Sequence, residues 1–181
     1  MNLTFRQKLF LSLFILFFTF IAIIFPFAHI PIITLFQKAL LIQTESFSRK
    51  LEVMSTKEEM IKFLHEKEYT FFIRVSVMDK PGNVLYDSHA ERILGEHFDS
   101  GFITRHPVVA MALENGSAYK EAYSELFRQR LAYTAVAFRS KGGEQYIVRT
   151  AYPVRYIEDM IGFFELALVF LSSFLLFLFS L

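Results

Sequence analysis

Among its 181 residues the chain has no cysteine and no tryptophan, and only seven glycines and five prolines. Without cysteine, an oxidising compartment would add no disulfides, and no thiol nucleophile exists. The sequence also lacks a glycine-rich ATP lid, a Walker sequence, a His-centred phosphoacceptor helix, a Gly-x-Ser-x-Gly elbow and a His-Glu-x-x-His pair. These absences argue against a kinase, a hydrolase of the elbow type and a zinc protease within this chain. What the chain has in excess is apolar residues, 54% of the total with 23 phenylalanines, concentrated at its two ends.

Charge is missing altogether from residues 9–36, LFLSLFILFFTFIAIIFPFAHIPIITLF. A helix of about 20 such residues crosses a bilayer core. Pro26, His29 and Pro31 fall in the second half, where a helix leaving the hydrocarbon kinks and its freed carbonyls find water. Residues 9–27 are the lipid-buried part. The apolar stretch exceeds the roughly 7 to 15 residues of a signal peptide, and no small-x-small cleavage site follows, so the expectation is an uncleaved anchor. A second run, residues 160–181, MIGFFELALVFLSSFLLFLFSL, has spanning length and one charge, Glu165. Arg6 and Lys8 precede the first run and hold that end in the cytoplasm, which puts the middle of the chain outside. Lys38 and Arg155 on the outer flanks weigh the other way.

The expected division is therefore residues 1–36 as a cytoplasmic tip and first membrane helix, 37–159 as an outer domain, and 160–181 as a second membrane helix. The middle is long enough for one small core. Leu40, Phe47, Met54 and Ile61 recur every seven residues, with Leu51 and Leu64 filling in, an apolar stripe on a helix. Ser55 with Glu58, or Thr56 with Glu59, can form a capping box, so one helix ends near Met54 and a second runs to about Glu66. The second helix is expected to pack on the domain's own sheet; for the first, such packing and a dimer seam both stay open. Phe71, Ile73, Val75 and Val77 alternate with Arg74 and Ser76, as a half-buried strand requires. Lys80-Pro81-Gly82-Asn83 suits a type II turn returning into a strand over residues 84–87. His106-Pro107 opens a short helix stopped at Asn115-Gly116. Three β-prone runs follow, residues 117–127, 130–139 and 145–154, the last two joined by a Gly-Gly turn.

Two strands, a helical crossover and three strands is the core order of PAS-like domains. The runs VSVMDKPGNVLYDS, HPVVAMALENG, LAYTAVAF and YIVRTAYPV resemble the extracytoplasmic PAS-like (PDC or Cache-related) domain of membrane sensor histidine kinases of the phosphate-regulon type. Asp79, Gly82, Asp87, Ser88, Pro107, Gly116, Tyr133 and Ala135 carry the match. Phe138 stands near the family's usual proline, and Lys-Pro separates Asp79 from Gly82, two small departures. The resemblance implies an α+β fold, a PAS-like five-stranded antiparallel sheet with flanking N-terminal helices, set between two transmembrane helices of a bacterial inner membrane. Its larger departure is that no HAMP linker or kinase domain is present. A fragment, a decayed kinase and a stand-alone input subunit all fit that observation.

Few residues carry chemistry of their own. Asp87, His89, Glu91, Glu96 and His97 lie close in sequence, but their spacing fits no metal motif, and a solvated loop is the expected reading. His106 reads as a neighbour of a helix N-cap, and His29 as a membrane-interface residue. Ligand sensing would draw on Arg74, Tyr86, Tyr133, Arg149 and Tyr152, which lie on strands whose period of two can aim some of them inward. Arg74 and Arg149 suit an anionic metabolite through bidentate hydrogen bonds. The competing reading leaves these side chains in solvent or paired with glutamates of the helices. Glu165 costs at least about a few kcal/mol if ionised in lipid. It snorkels, stays protonated, or makes a polar contact between membrane helices or across a dimer.

The sequence thus predicts the signal-input module of a two-component membrane receptor, without enzymatic activity, cofactor, metal or nucleic-acid partner. Its expected partners are the lipid bilayer, an unidentified small-molecule ligand, a second copy, and a separate kinase or membrane protein. The rival reading is a membrane-anchored protein-interaction module with no small-molecule ligand; an anchored enzyme is a third.

Overall fold

The computed structural model describes residues 4–67, 73–80, 82–89, 105–125 and 127–180. Phe71, Pro81, Glu91, Glu96 and His97, singled out above, lie outside the described residues. The chain divides into two compact units, Met1–Phe36 with Arg155–Leu181, and Gln37–Val154.

In the first unit, Phe5–Ile23 is the one stretch among the described residues that is long and apolar enough to cross a membrane, with a mean hydropathy of 1.7 and none of it buried. It belongs to a continuous helix, α1, Phe5–Glu52, which passes both Pro26 and Pro31 without ending. Thr4 caps its start, its hydroxyl accepting from the Gln7 amide at 3.4 Å while Gln7 Oε1 accepts from the Thr4 amide at 2.9 Å. The last helix of the chain, numbered α4 below, spans Val154–Ser180 and so begins six residues before the apolar run at Met160. Glu165 lies on it, half-buried.

The second unit is α+β, a five-stranded antiparallel sheet with flanking helices. After α1 come α2 (Lys57–Lys67), β1 (Arg74–Asp79), β2 (Val84–Asp87), α3 (Pro107–Asn115), β3 (Ser117–Ser124), β4 (Gln129–Arg139) and β5 (Gln145–Pro153). The strand order is β2-β1-β5-β4-β3, with every neighbouring pair antiparallel. Strand β5 thus sits at the centre, and the chain passes from Pro153 into α4 at Val154 with no linker.

The junction of α1 and α2 uses Thr56 and Glu59. Thr56 Oγ1 accepts from the Glu59 amide at 3.2 Å, and Glu59 Oε2 accepts from the Ser55 amide at 2.9 Å. The Glu carboxylate reaches one residue farther back than a standard box, to the residue before the cap. The β1–β2 turn also closes one residue earlier than the sequence suggests. The Gly82 amide donates to the Asp79 carbonyl at 3.0 Å, and the Asp79 amide to the Asn83 carbonyl at 3.0 Å, with Gly82 at φ 98°. That is a three-residue loop with glycine in the bulge position, where a positive φ is needed. The β4–β5 turn repeats the scheme: Gly143 donates to Ser140, Ser140 to Glu144, and Gly143 has φ 89°.

One face of the sheet meets α1 and α2, through Leu40, Thr44, Leu51, Met60 and Leu64, all buried. The Tyr86 ring meets His65 of α2 edge-on at 5.2 Å. The heptad stripe on α1 is only partly the buried line: Leu40 is buried, but Phe47 and Met54 are half-buried, and Thr44, Ser48 and Leu51 complete the inward face. The other face carries α3, whose Val108, Val109 and Ala112 pack with Met78, Ala118, Leu131, Tyr133, Ala135, Ile147 and Ala151. Because β1 is covered on both sides, all six of its residues are buried, including Arg74 and Ser76, for which alternation alone predicted a polar face.

Candidate functional site

Strand alternation and register decide which candidate residues meet. Ser76 pairs with Arg149 and with Asp87, Arg74 pairs with Ala151, and Ala151 pairs with Tyr133. Directly paired residues share a face. Arg74, Tyr133 and Arg149 therefore lie together on the face that carries α3. Tyr86 pairs with Val77 and Tyr152 with Ala132, which puts both on the opposite face. Three of the five candidates come together, and two do not.

Arg74 is committed to Asp87. Its Nε donates to both carboxylate oxygens, at 3.0 and 3.1 Å, and its Nη2 lies 3.0 Å from Oδ2. Ser76 Oγ donates to the same Oδ2 at 2.6 Å, and the His89 amide donates to Oδ1 at 2.9 Å. Asp87 has no exposed side-chain surface, so these donors replace the water it has lost. The guanidinium of Arg74 also stacks over Phe127, 5.3 Å from the ring centre.

Arg149 is 2% exposed. Its Nη2 donates to Ser76 Oγ at 3.3 Å, and its guanidinium carbon sits 5.4 Å from the centre of the Tyr133 ring. Burial first, and the charge of Arg74 second, push its pKa down to about 10, against the opposing pull of Asp87 and Tyr133. It stays cationic at neutral pH, and Asp87, which acts on it, also holds Arg74.

Sequence reasoning missed two neighbours. His106 caps α3, its Nδ1 accepting from the Val108 amide at 3.3 Å, and its ring lies against Tyr133, tilted by 42° with centroids 4.1 Å apart. Burial, followed by the charges of Arg149 and Lys120, lowers its pKa to about 4, so it is neutral at physiological pH. Lys120 pairs in register with Tyr133, on the exposed edge of the same face. His106 carried a signal, as the residue before a helix-opening proline; Lys120 carried none, because its position depends on β3–β4 register. Arg74, Arg149 and Lys120 thus bring three cationic side chains to the face that carries Tyr133, a combination of residue types that suits an anion.

The acidic and histidine group after β2 is occupied differently. Asp87 holds Arg74, and the His89 Nδ1 lies 2.9 Å from Ser88 Oγ. Among the described residues no three His, Cys, Asp or Glu side chains converge on one point.

No protein-family model matches the sequence, and no curated protein matches it. Solved structures do align. The ligand-binding domain of the amino-acid chemoreceptor PctC of Pseudomonas aeruginosa PAO1, in complex with GABA, aligns at a TM-score of 0.50 and 10% identity, covering 68% of this chain and 58% of that one. The sensor domain of the Vibrio cholerae histidine kinase DctB aligns at a TM-score of 0.42 and 16% identity, covering 57% of this chain and 40% of that one. The sensor domain of Escherichia coli DcuS aligns at 0.42 and 15% identity, covering 70% of this chain and 97% of that one. The first alignment shows a shared fold, and this chain spans 58% of the length of that ligand-binding domain.

Proposed function

We propose that this chain is the signal-input module of a two-component membrane receptor. In this reading residues 37–159 form an extracytoplasmic sensor domain, and residues 1–36 and 160–181 form two membrane helices of a bacterial inner-membrane protein, as in sensor kinases of the phosphate-regulon type. The signal is a small anion held by Arg149 and Tyr133, with Arg74 as the residue that positions Asp87 and Ser76 around Arg149. The output lies in a kinase outside these 181 residues, reached through α4.

The observation that carries the reading is the buried guanidinium of Arg149 beside Tyr133, on the face that carries α3, in a fold shared with a ligand-binding domain solved in complex with GABA. A ligand that binds one conformation of the sheet better than another shifts their populations by that difference in affinity. Because β5 runs directly into α4, a displacement of the strand is delivered to the helix without an intervening loop.

Thermal unfolding of the full chain in detergent micelles tests the reading, with acetate, succinate, γ-aminobutyrate and phosphate as probes. One of them is expected to raise the melting temperature in proportion to the logarithm of its concentration, and Arg149→Gln to remove that shift. No shift with any probe, together with one stoichiometric membrane protein that co-purifies, would replace this reading with the interaction module. That rival has its own support in the outward face of α1, where Ile42 is exposed beside Ser46 and Arg49, and in the exposed Val53 just past the helix end. A second copy fits the same face. Topology is testable directly because the chain lacks cysteine: Lys120→Cys in intact cells is expected to react with a membrane-impermeant maleimide, and Thr4→Cys to be protected.

A further inference from the structure

Three threonines from three elements meet on the face of the sheet opposite Arg149. The hydroxyl oxygen of Thr44 on α1 lies 2.5 Å from that of Thr134 on β4 and 2.7 Å from that of Thr150 on β5, and the two strand hydroxyls are 2.5 Å apart. All three residues are buried to within 1%. Thr44 Oγ1 also bonds back to the Leu40 carbonyl at 2.8 Å. Three hydroxyl protons therefore serve four close oxygen contacts, so the proton arrangement of each threonine depends on the other two.

An apolar trio would fill this space at lower cost. Leu40 and Leu51 flank it on the same face of α1, and a valine has nearly the shape of a threonine without a hydroxyl to satisfy. Apolar contacts tolerate sliding of a helix along a sheet, whereas directional hydrogen bonds between fixed hydroxyls do not. The triangle thus sets the axial position of α1 on the sheet.

Its relation to the anion-binding face is one of adjacency in the chain. Thr134 follows Tyr133 on β4, and Thr150 follows Arg149 on β5. Successive strand residues point to opposite faces, and Thr134 is paired in register with Thr150. Each of the two residues that would touch an anion is joined by one peptide bond to a residue that grips α1.

We propose that Thr44, Thr134 and Thr150 form a latch that couples the Arg149–Tyr133 face of the sheet to α1. They are positioning residues, acting through the strands that carry the anion site. This proposal rests on the sensing reading for its purpose, but the coupling itself needs no ligand to be tested.

Hydrogen exchange of the full chain in detergent micelles, followed by mass spectrometry over residues 40–51, reads the latch. Arg149→Gln is expected to raise exchange in that segment at least fivefold, and Thr150→Val to raise it to a similar level. In the Thr150→Val background, Arg149→Gln is expected to add less than twofold, because the link is already cut. The milder Arg149→Lys serves in place of Arg149→Gln if the latter does not fold. Independent, multiplying effects of the two substitutions, or an Arg149 variant that leaves residues 40–51 unchanged, would overturn the latch. Thr44→Val and Thr150→Val should likewise couple at least fivefold in the unfolding constant, and strict additivity would overturn it as well. These failures leave the anion-induced rise in melting temperature untouched, while absence of that rise leaves the coupling standing, so the two proposals fail separately.

Discussion

The guanidinium of Arg74 grips both oxygens of the fully buried Asp87 carboxylate, and that same carboxylate also acts on the charge of Arg149. Both buried cations thus draw on it. The ledger of a buried pair is asymmetric: exchanging both members for apolar groups is often neutral, while removing one leaves a charge stranded.

Asp87→Asn is therefore expected to cost about 3–5 kcal/mol, far more than its small change in shape suggests. Arg74→Met combined with Asp87→Leu should cost less than Asp87→Asn alone, since Arg74 is then no longer stranded. Urea unfolding of the full chain in micelles measures both. A loss below about 1 kcal/mol for Asp87→Asn would show that the pair is solvated and the account wrong.

Gly142 marks the place where the β4–β5 turn touches the link between α1 and α2. A Cβ built there would stand 2.6 Å from the Ser55 carbonyl oxygen, and the neighbouring Lys141 amide donates to the Met54 carbonyl at 3.1 Å. Backbone on backbone cannot give way as a flexible side chain can. Gly142→Ala should destabilise by about 1–3 kcal/mol, whereas Ala at Gly162, with open space around it, should be nearly silent. Equal melting temperatures for the two variants would contradict the close approach.

Leu64 of α2 is wholly buried, on the face turned to the sheet. Leu64→Ala should cost about 2–5 kcal/mol, and Leu64→Met less than about 1.5. If α2 were only loosely attached, both would fall within experimental error of the parent.

Much of the frame could be read from the residues. The alternation of Val75 and Val77, the Gly-Gly turn, the proline-opened helix and the Thr56–Glu59 cap are local signals, and each element forms where they put it. Register was not legible. Period two says that Tyr133 and Tyr152 each face one side of the sheet, but only the pairing of β1, β4 and β5 puts Arg149 with Tyr133 and sends Tyr86 and Tyr152 to the other side. The burial of Arg74 and Ser76 was hidden for a related reason. A polar residue on a central strand looks solvent-facing until Asp87, 11 residues beyond Ser76, arrives to satisfy it. The helical turn and a half before Met160 was not legible, because Arg155, Glu158 and Asp159 break the apolar run although charge does not hinder a helix outside lipid. Thr44 and its two partners are separated by 90 and 106 residues, and no periodicity connects them.

His106 gives the second unit a dependence on mild acid. Burial and the charges of Arg149 and Lys120 hold its folded pKa near 4, while the unfolded side chain titrates at 6.5. Above pH 6.5 both states carry the neutral ring, and its contribution is complete. As pH falls toward 4, the unfolded chain takes up a proton that the folded chain refuses, so stability declines across that window and levels off below it. Full burial would make the loss about 3 kcal/mol; the partial exposure of the ring reduces it to about 2. Asp79, whose pKa is lowered because the hydrogen bonds from Asn83 and Gly82 and the charge of Lys57 outweigh its burial, adds a second loss only as pH drops below 3.8. His106→Asn retains a cap acceptor and does not titrate, so the decline between pH 6.5 and 4 should be flatter in that variant. Chemical unfolding of both proteins at half-unit pH steps makes the comparison; parallel curves through the window would remove His106 as the cause.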